Sequence, residues 1–107
     1  MIRRATLCAL FVILLVVPGA AQTASVTGRV TDASGAVIPN STVTITNVAT
    51  SIDRSTSTNE SGYYTFSLLQ PGRYRMSVES PGFKTLSRAG LVFEVDQRAE
   101  LNFTVEI

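Results

Sequence analysis

The stretch GYYTFSLLQPGRYRMSVESPGF, Gly62 to Phe83, decides the fold. Tyr64 and Phe66, followed by Leu68 or Leu69, recur at two-residue spacing, and Tyr74, Met76 and Val78 then alternate with Arg73, Arg75, Ser77 and Glu79. Side chains of period two fall on opposite sides of a strand, so each run predicts a strand with one dry and one wet side. Gly62, Pro71-Gly72 and Pro81-Gly82 supply the turns, and Phe83 is placed to cover one end of a core. The short Pro71-Gly72 connection predicts a hairpin whose two strands are antiparallel neighbours at the centre of the domain.

Working outward, Val26, Gly28 and Val30 alternate with Thr27, Arg29 and Thr31, and the glycine suggests close packing or a bulge. DASGAVIPN, Asp32 to Asn40, reads as a loop, and Val43 and Ile45 among threonines as a second strand. ATSIDRSTSTNESG reads as a turn, a polar edge strand carrying Arg54, and another turn, a composition that guards against edge pairing. Leu86 is expected in an irregular piece, Leu91, Phe93 and Val95 in a strand, and Leu101, Phe103, Val105 and Ile107 in a last strand after an Asp96-Gln97 turn. The expectation is all-β: a small antiparallel seven-stranded sandwich with Greek-key connections. Tyr64, Phe66, Tyr74, Met76, Val78, Leu101, Phe103 and Val105 should be buried, and Tyr63, Arg73, Arg75 and Glu79 exposed.

The first residues are a separate object. Arg3 and Arg4 precede an apolar run from Ala5 to Val17, which ends at Pro18-Gly19. That is the pattern of a secretory signal helix, shorter than the roughly 20 residues of a membrane span. Gly19 and Ala21 place small side chains before a cut between Ala21 and Gln22, which divides the chain into a signal peptide, 1–21, and one domain, 22–107. An uncleaved anchor is the alternative. Cys8, the one cysteine, leaves with the signal, and loss of Arg3 and Arg4 takes the formal charge from +1 to −1. A thiol-free, nearly neutral domain suits an oxidising compartment and offers no electrostatic footprint for nucleic acid.

With no histidine, acid-base catalysis and zinc sites lack their commonest residue, and the single lysine, Lys84, sits in no recognisable nucleophile motif. No enzyme, cofactor or metal is expected. Asp32, Asp53, Glu60 and Asp96 are the carboxylates that a Ca²⁺ site at one end of a sandwich could use, but their setting reads as turns and caps. Asn40, Asn59 and Asn102 begin glycosylation-type triplets that recur by chance in a chain rich in Ser and Thr. The best binding hint is Tyr63, an outward ring expected beside Arg73 or Arg75, which could stack on a sugar or a partner protein.

VTGRVTDASGAVIPNSTVTI and TNESGYYTFSLLQPGRYRMSVESPGF together resemble the carboxypeptidase regulatory-like domain, a transthyretin-like sandwich also grouped with carbohydrate-binding-like folds. Gly28, Asp32, Gly35, Pro39, Val43, Gly62, Tyr64, Phe66, Leu69, Pro71, Gly72, Tyr74, Val78, Gly82 and Phe83 carry the resemblance. Placed directly behind a signal peptide, the domain is similar to the N-terminal extension of TonB-dependent outer-membrane receptors. The resemblance implies a non-enzymatic module, exported to the periplasm or outer membrane of a Gram-negative bacterium. Its partners would be a receptor plug or barrel or another envelope protein, with a glycan as the alternative. It would meet the membrane only through a larger parent protein or an uncleaved signal.

Overall fold

A computed structural model describes residues 22–107. The expected signal helix and the residue before its cut, Ala21, lie outside them. The strands are β1 (Ala24–Asp32), β2 (Thr42–Asn47), β3 (Asp53–Ser57), β4 (Tyr63–Leu69), β5 (Gly72–Glu79), β6 (Leu86–Phe93), β7 (Arg98–Glu100) and β8 (Phe103–Val105). They form two sheets, one ordered β3-β2-β5-β6 and the other β4-β1-β7, with β8 following β7 along the same edge of β1.

The core lies between the sheets. Val26 and Val30 from β1, and Tyr64, Phe66 and Leu69 from β4, meet Val43, Ile45, Tyr74, Met76 and Val78 from the opposite layer, with Phe93, Phe103 and Val105 at the margins. Each fully buried aliphatic side chain contributes about 1.5–3 kcal/mol. The expected inward and outward sets hold except at Leu101, which is half-buried.

Four expectations change. First, β4 and β5 are not a hairpin. β4 pairs with β1 and β5 with β2 and β6, so the chain crosses from one sheet to the other at Gln70-Pro71. A two-residue hairpin needs positive φ at its first loop position, or at both, which Gln70 disfavours and Pro71 forbids. The chain leaves β4 through Leu68, at φ 57°, and enters β5 through Gly72, at φ 152°.

Second, between the pairs Ala24↔Leu69 and Val26↔Phe66 the β4 side has one residue more than β1. This bulge turns Leu69 into the core and leaves Leu68 71% exposed. Third, β6 starts at Leu86, in register with Val78, and ends at Phe93, so Val95 falls in the following turn and is exposed.

Fourth, the described residues form eight strands rather than seven, and the last two run parallel to β1. They are one edge strand interrupted at Leu101-Asn102, opposite Gly28. A methyl group at Gly28 would overlap the Leu101 carbonyl oxygen, and Leu101 N–H donates to Thr27 O at 2.9 Å. Since β7 is reached from the other sheet, no hairpin forces it to be antiparallel.

Candidate functional site

Tyr63 opens β4 on the outward side of the β4-β1-β7 sheet, 45% exposed and in register with Arg29 of β1. The Arg29 guanidinium carbon stands 4.5 Å from the centre of the Tyr63 ring. This cation–π contact is worth about 0.5–1 kcal/mol at an exposed site. Arg29 Nε donates to Ser61 O at 3.0 Å, which fixes the guanidinium over the ring. Arg29 N–H donates to Asn102 Oδ1 at 3.0 Å, tying the amide of the broken edge strand to the same patch. Arg29, Thr31, Tyr63, Glu100 and Asn102 line a shallow concavity of about 300 Å³. One rigid ring, one cation, one carboxylate and one amide therefore share a surface built on strands.

Arg73 and Arg75 lie elsewhere. Both are exposed on β5, in the other sheet, where Arg73 is opposite Val92 and Arg75 opposite Thr46. Their expected place beside Tyr63 depended on the β4–β5 hairpin, and the sheet crossing removes it. The cation at Tyr63 is Arg29, which the alternation along β1 marks as outward but which only the β1–β4 register brings to the ring.

The carboxylates considered for Ca²⁺ are not gathered at one end. Asp32 and Glu60 lie toward the end where β1 finishes, Asp53 and Asp96 toward the end where it starts. Asp32 Oδ1 accepts from Ser34 Oγ at 2.6 Å and from Ser34 and Ala36 N–H at 2.9 and 3.0 Å. The Ser34 hydroxyl, aided by backbone N–H groups, holds its carboxyl below the usual range. Asp32 is a loop organiser. Among the described residues, no three His, Cys, Asp or Glu side chains are clustered to hold a metal ion.

The triplet asparagines also have local roles. Asn59 Oδ1 accepts from Ser61 and Tyr63 N–H at 2.9 and 3.0 Å, anchoring the start of β4. Asn40 adopts φ 59°, which asparagine tolerates better than most residues.

Solved structures share this fold. A candidate carbohydrate-binding protein of Bacteroides uniformis superposes with a TM-score of 0.63 at 17% identity, over 78% of this chain. The chain spans only 41% of that protein's length. A second candidate carbohydrate-binding protein, from Pseudomonas aeruginosa, matches with a TM-score of 0.54 at 18% identity, over 78% of this chain and 88% of its own. The dioxygenase domain of a dioxygenase and carbohydrate-binding protein fusion from Streptomyces sp. SirexAA-E matches with a TM-score of 0.64 at 11% identity, over 84% and 82% of the two chains. At such identities the likeness is one of fold alone. No curated protein matches the sequence significantly. The family model of the carboxypeptidase regulatory-like domain spans residues 25–106, and the chain belongs to that family.

Proposed function

We propose that the chain is a non-enzymatic contact module of the bacterial envelope, the exported N-terminal domain of a TonB-dependent receptor. The signal-like segment up to Ala21, with cleavage before Gln22, delivers it to the periplasm, where it meets the receptor's plug and barrel or another envelope protein. The observation that carries the contact role is the Arg29–Tyr63 pair, an exposed ring held by a cation on paired strands. A rigid aromatic with an adjacent arginine is the composition that anchors protein interfaces. The receptor context rests on a family domain directly behind an export-type segment.

A carbohydrate is the second reading. Tyr63 offers a face for a sugar ring, and Glu100 and Asn102 offer polar groups for its hydroxyls. The neighbouring carbohydrate-binding candidates support it by fold only. Pull-down of envelope proteins and a glycan array, each run with the wild type and with Tyr63→Ala, test both. Capture of a partner or sugar that is lost in the variant supports this surface, whereas equal capture by both proteins rejects it.

A further inference from the structure

Cleavage after Ala21 makes a glutamine, Gln22, the first residue of the exported domain. A glutamine side chain carries its amide carbon at the distance that closes an unstrained five-membered ring on the α-amino nitrogen of the same residue. That nitrogen is a free amine only at a chain start. Gln70 and Gln97 lie inside the chain, where the nitrogen is already a peptide amide, so this chemistry belongs to position 22 and waits on the cut.

The fold leaves Gln22 outside the sheet. β1 starts at Ala24, and the last main-chain anchor before it is Thr23, whose carbonyl accepts Asp96 N–H at 2.9 Å. Ser25 N–H donates to Gln97 O at 2.9 Å, so the chain is tied to the β6–β7 turn on both sides of Ala24. Gln22 precedes these ties and is exposed. A terminal residue that is not tied down keeps its rotational freedom, which ring closure requires because the amine and the amide carbon must come within bonding distance.

The same geometry gives a closed ring a use. Only Gln22 and Thr23 separate the new chain start from Ala24, which is 3% exposed and belongs to the core. An exopeptidase that takes two residues removes Thr23 and its bond to Asp96, and a third step takes Ala24 out of the core. A ring at residue 22 denies such an enzyme the free amine that it recognises. It also removes the ammonium that an open Gln22 would bring to the end of the sandwich where Thr23, Asp96 and Arg98 share a concavity.

We propose that the exported domain matures to an N-terminal pyroglutamate at Gln22, which rests on the cleavage between Ala21 and Gln22 given above. The α-amino nitrogen attacks Cδ of its own side chain. The N–Cδ bond forms, the Cδ–Nε2 bond breaks, and one amine proton passes to Nε2, which leaves as ammonia with the electron pair of the broken bond. The product is a neutral lactam, and no oxidant, nucleotide or metal takes part.

The test follows the full chain exported from a Gram-negative host and recovered from its envelope. The intact mass is expected to equal residues 22–107 less one ammonia, and stepwise sequencing from the amino end should yield nothing. Pyroglutamyl peptidase should then open a sequence beginning Thr23-Ala24-Ser25. Gln22→Ala, its cut position checked by mass, keeps a free amine and should lose residues 22 and 23 to a broad aminopeptidase several-fold faster than the wild type. A wild-type mass of residues 22–107 with an amine that stays open through incubation at mildly alkaline pH overturns the proposal and leaves the cut intact. A chain that begins anywhere else overturns the cut and the proposal together. Equal trimming of wild type and Gln22→Ala overturns the protective role of the ring.

Discussion

Gly28 and the carbonyl of Leu101 are so close that any side chain at position 28 would occupy the oxygen's place. The contact is where the edge strand breaks into β7 and β8, and it also brings Tyr64 Oη within 2.6 Å of the same carbonyl, to which it donates. Gly28→Ala is therefore expected to destabilise the domain by about 2–3 kcal/mol, the upper part of the range of about 1–3 kcal/mol for overpacking a tight site. Adding Leu101→Ala should not restore stability, because the obstruction is main chain. Urea melts of the single and double variants check both points, and rescue by the second substitution would place the clash in the Leu101 side chain instead.

Ser41 is fully buried and its Oγ has no hydrogen-bond partner among the described residues, although its N–H donates to Thr58 Oγ1 at 2.9 Å. An unpaired buried hydroxyl costs about 1–3 kcal/mol, so Ser41→Ala should raise stability by about 1 kcal/mol. A loss of stability on calorimetry would reveal a partner for the hydroxyl.

Leu68 places a residue with a Cβ at φ 57°, a conformation costing about 1–2 kcal/mol for most L-residues. With 71% of the side chain exposed, little burial is lost on replacement. Leu68→Asn is expected to stabilise the domain by about 0.5–1 kcal/mol. Equilibrium unfolding in urea checks this, and a loss of stability in the variant would show that packing of the Leu68 side chain outweighs the backbone strain.

Burial pushes the Tyr64 phenol well above its ordinary range, against the smaller opposing effect of the nearby Arg88. The folded state therefore holds this proton more tightly than the unfolded chain. Its contribution is fully present at neutral pH and is lost as pH rises above about 10, the unfolded value. Stability should fall in that alkaline window, and Tyr64→Phe should flatten this part of the curve while losing the hydrogen bond to Leu101 O. An unchanged alkaline slope in Tyr64→Phe would assign the fall to other groups.

Local periodicity made the strands legible. Val26 to Val30, Val43 and Ile45, and Tyr74 to Val78 read correctly because alternation reports which side of a strand is dry without reference to its partners. What failed was non-local. The sheet crossing at Gln70-Pro71 had one local signal, a proline where a two-residue hairpin cannot accept it, but the partners of β4 and β5 are set by β1 and β2, far away in sequence. The Leu68–Leu69 bulge and the exposure of Val95 depend in the same way on register. The candidate site follows suit: Tyr63 was recognisable as an outward ring, whereas Arg29 becomes its neighbour only through the β1–β4 pairing.

That pairing gives the most direct functional test. Tyr63 and Arg29 touch each other and solvent, and neither fills the core, so replacing Tyr63 by Ala should cost no more than about 1 kcal/mol, chiefly the cation–π contact. Arg29→Ala also removes the bond to Ser61 O and should cost slightly more. Because the ring is positioned by the guanidinium, the effects of the two substitutions on binding should be less than additive in a double-mutant cycle. Arg73→Ala and Arg75→Ala, on the other sheet, should leave binding at the Tyr63 surface unchanged. Titration of the captured envelope partner or glycan against all four variants measures this. Strong loss with Arg75→Ala and none with Tyr63→Ala would move the contact surface to the outer side of β5, with the β4-β1-β7 sheet serving as scaffold.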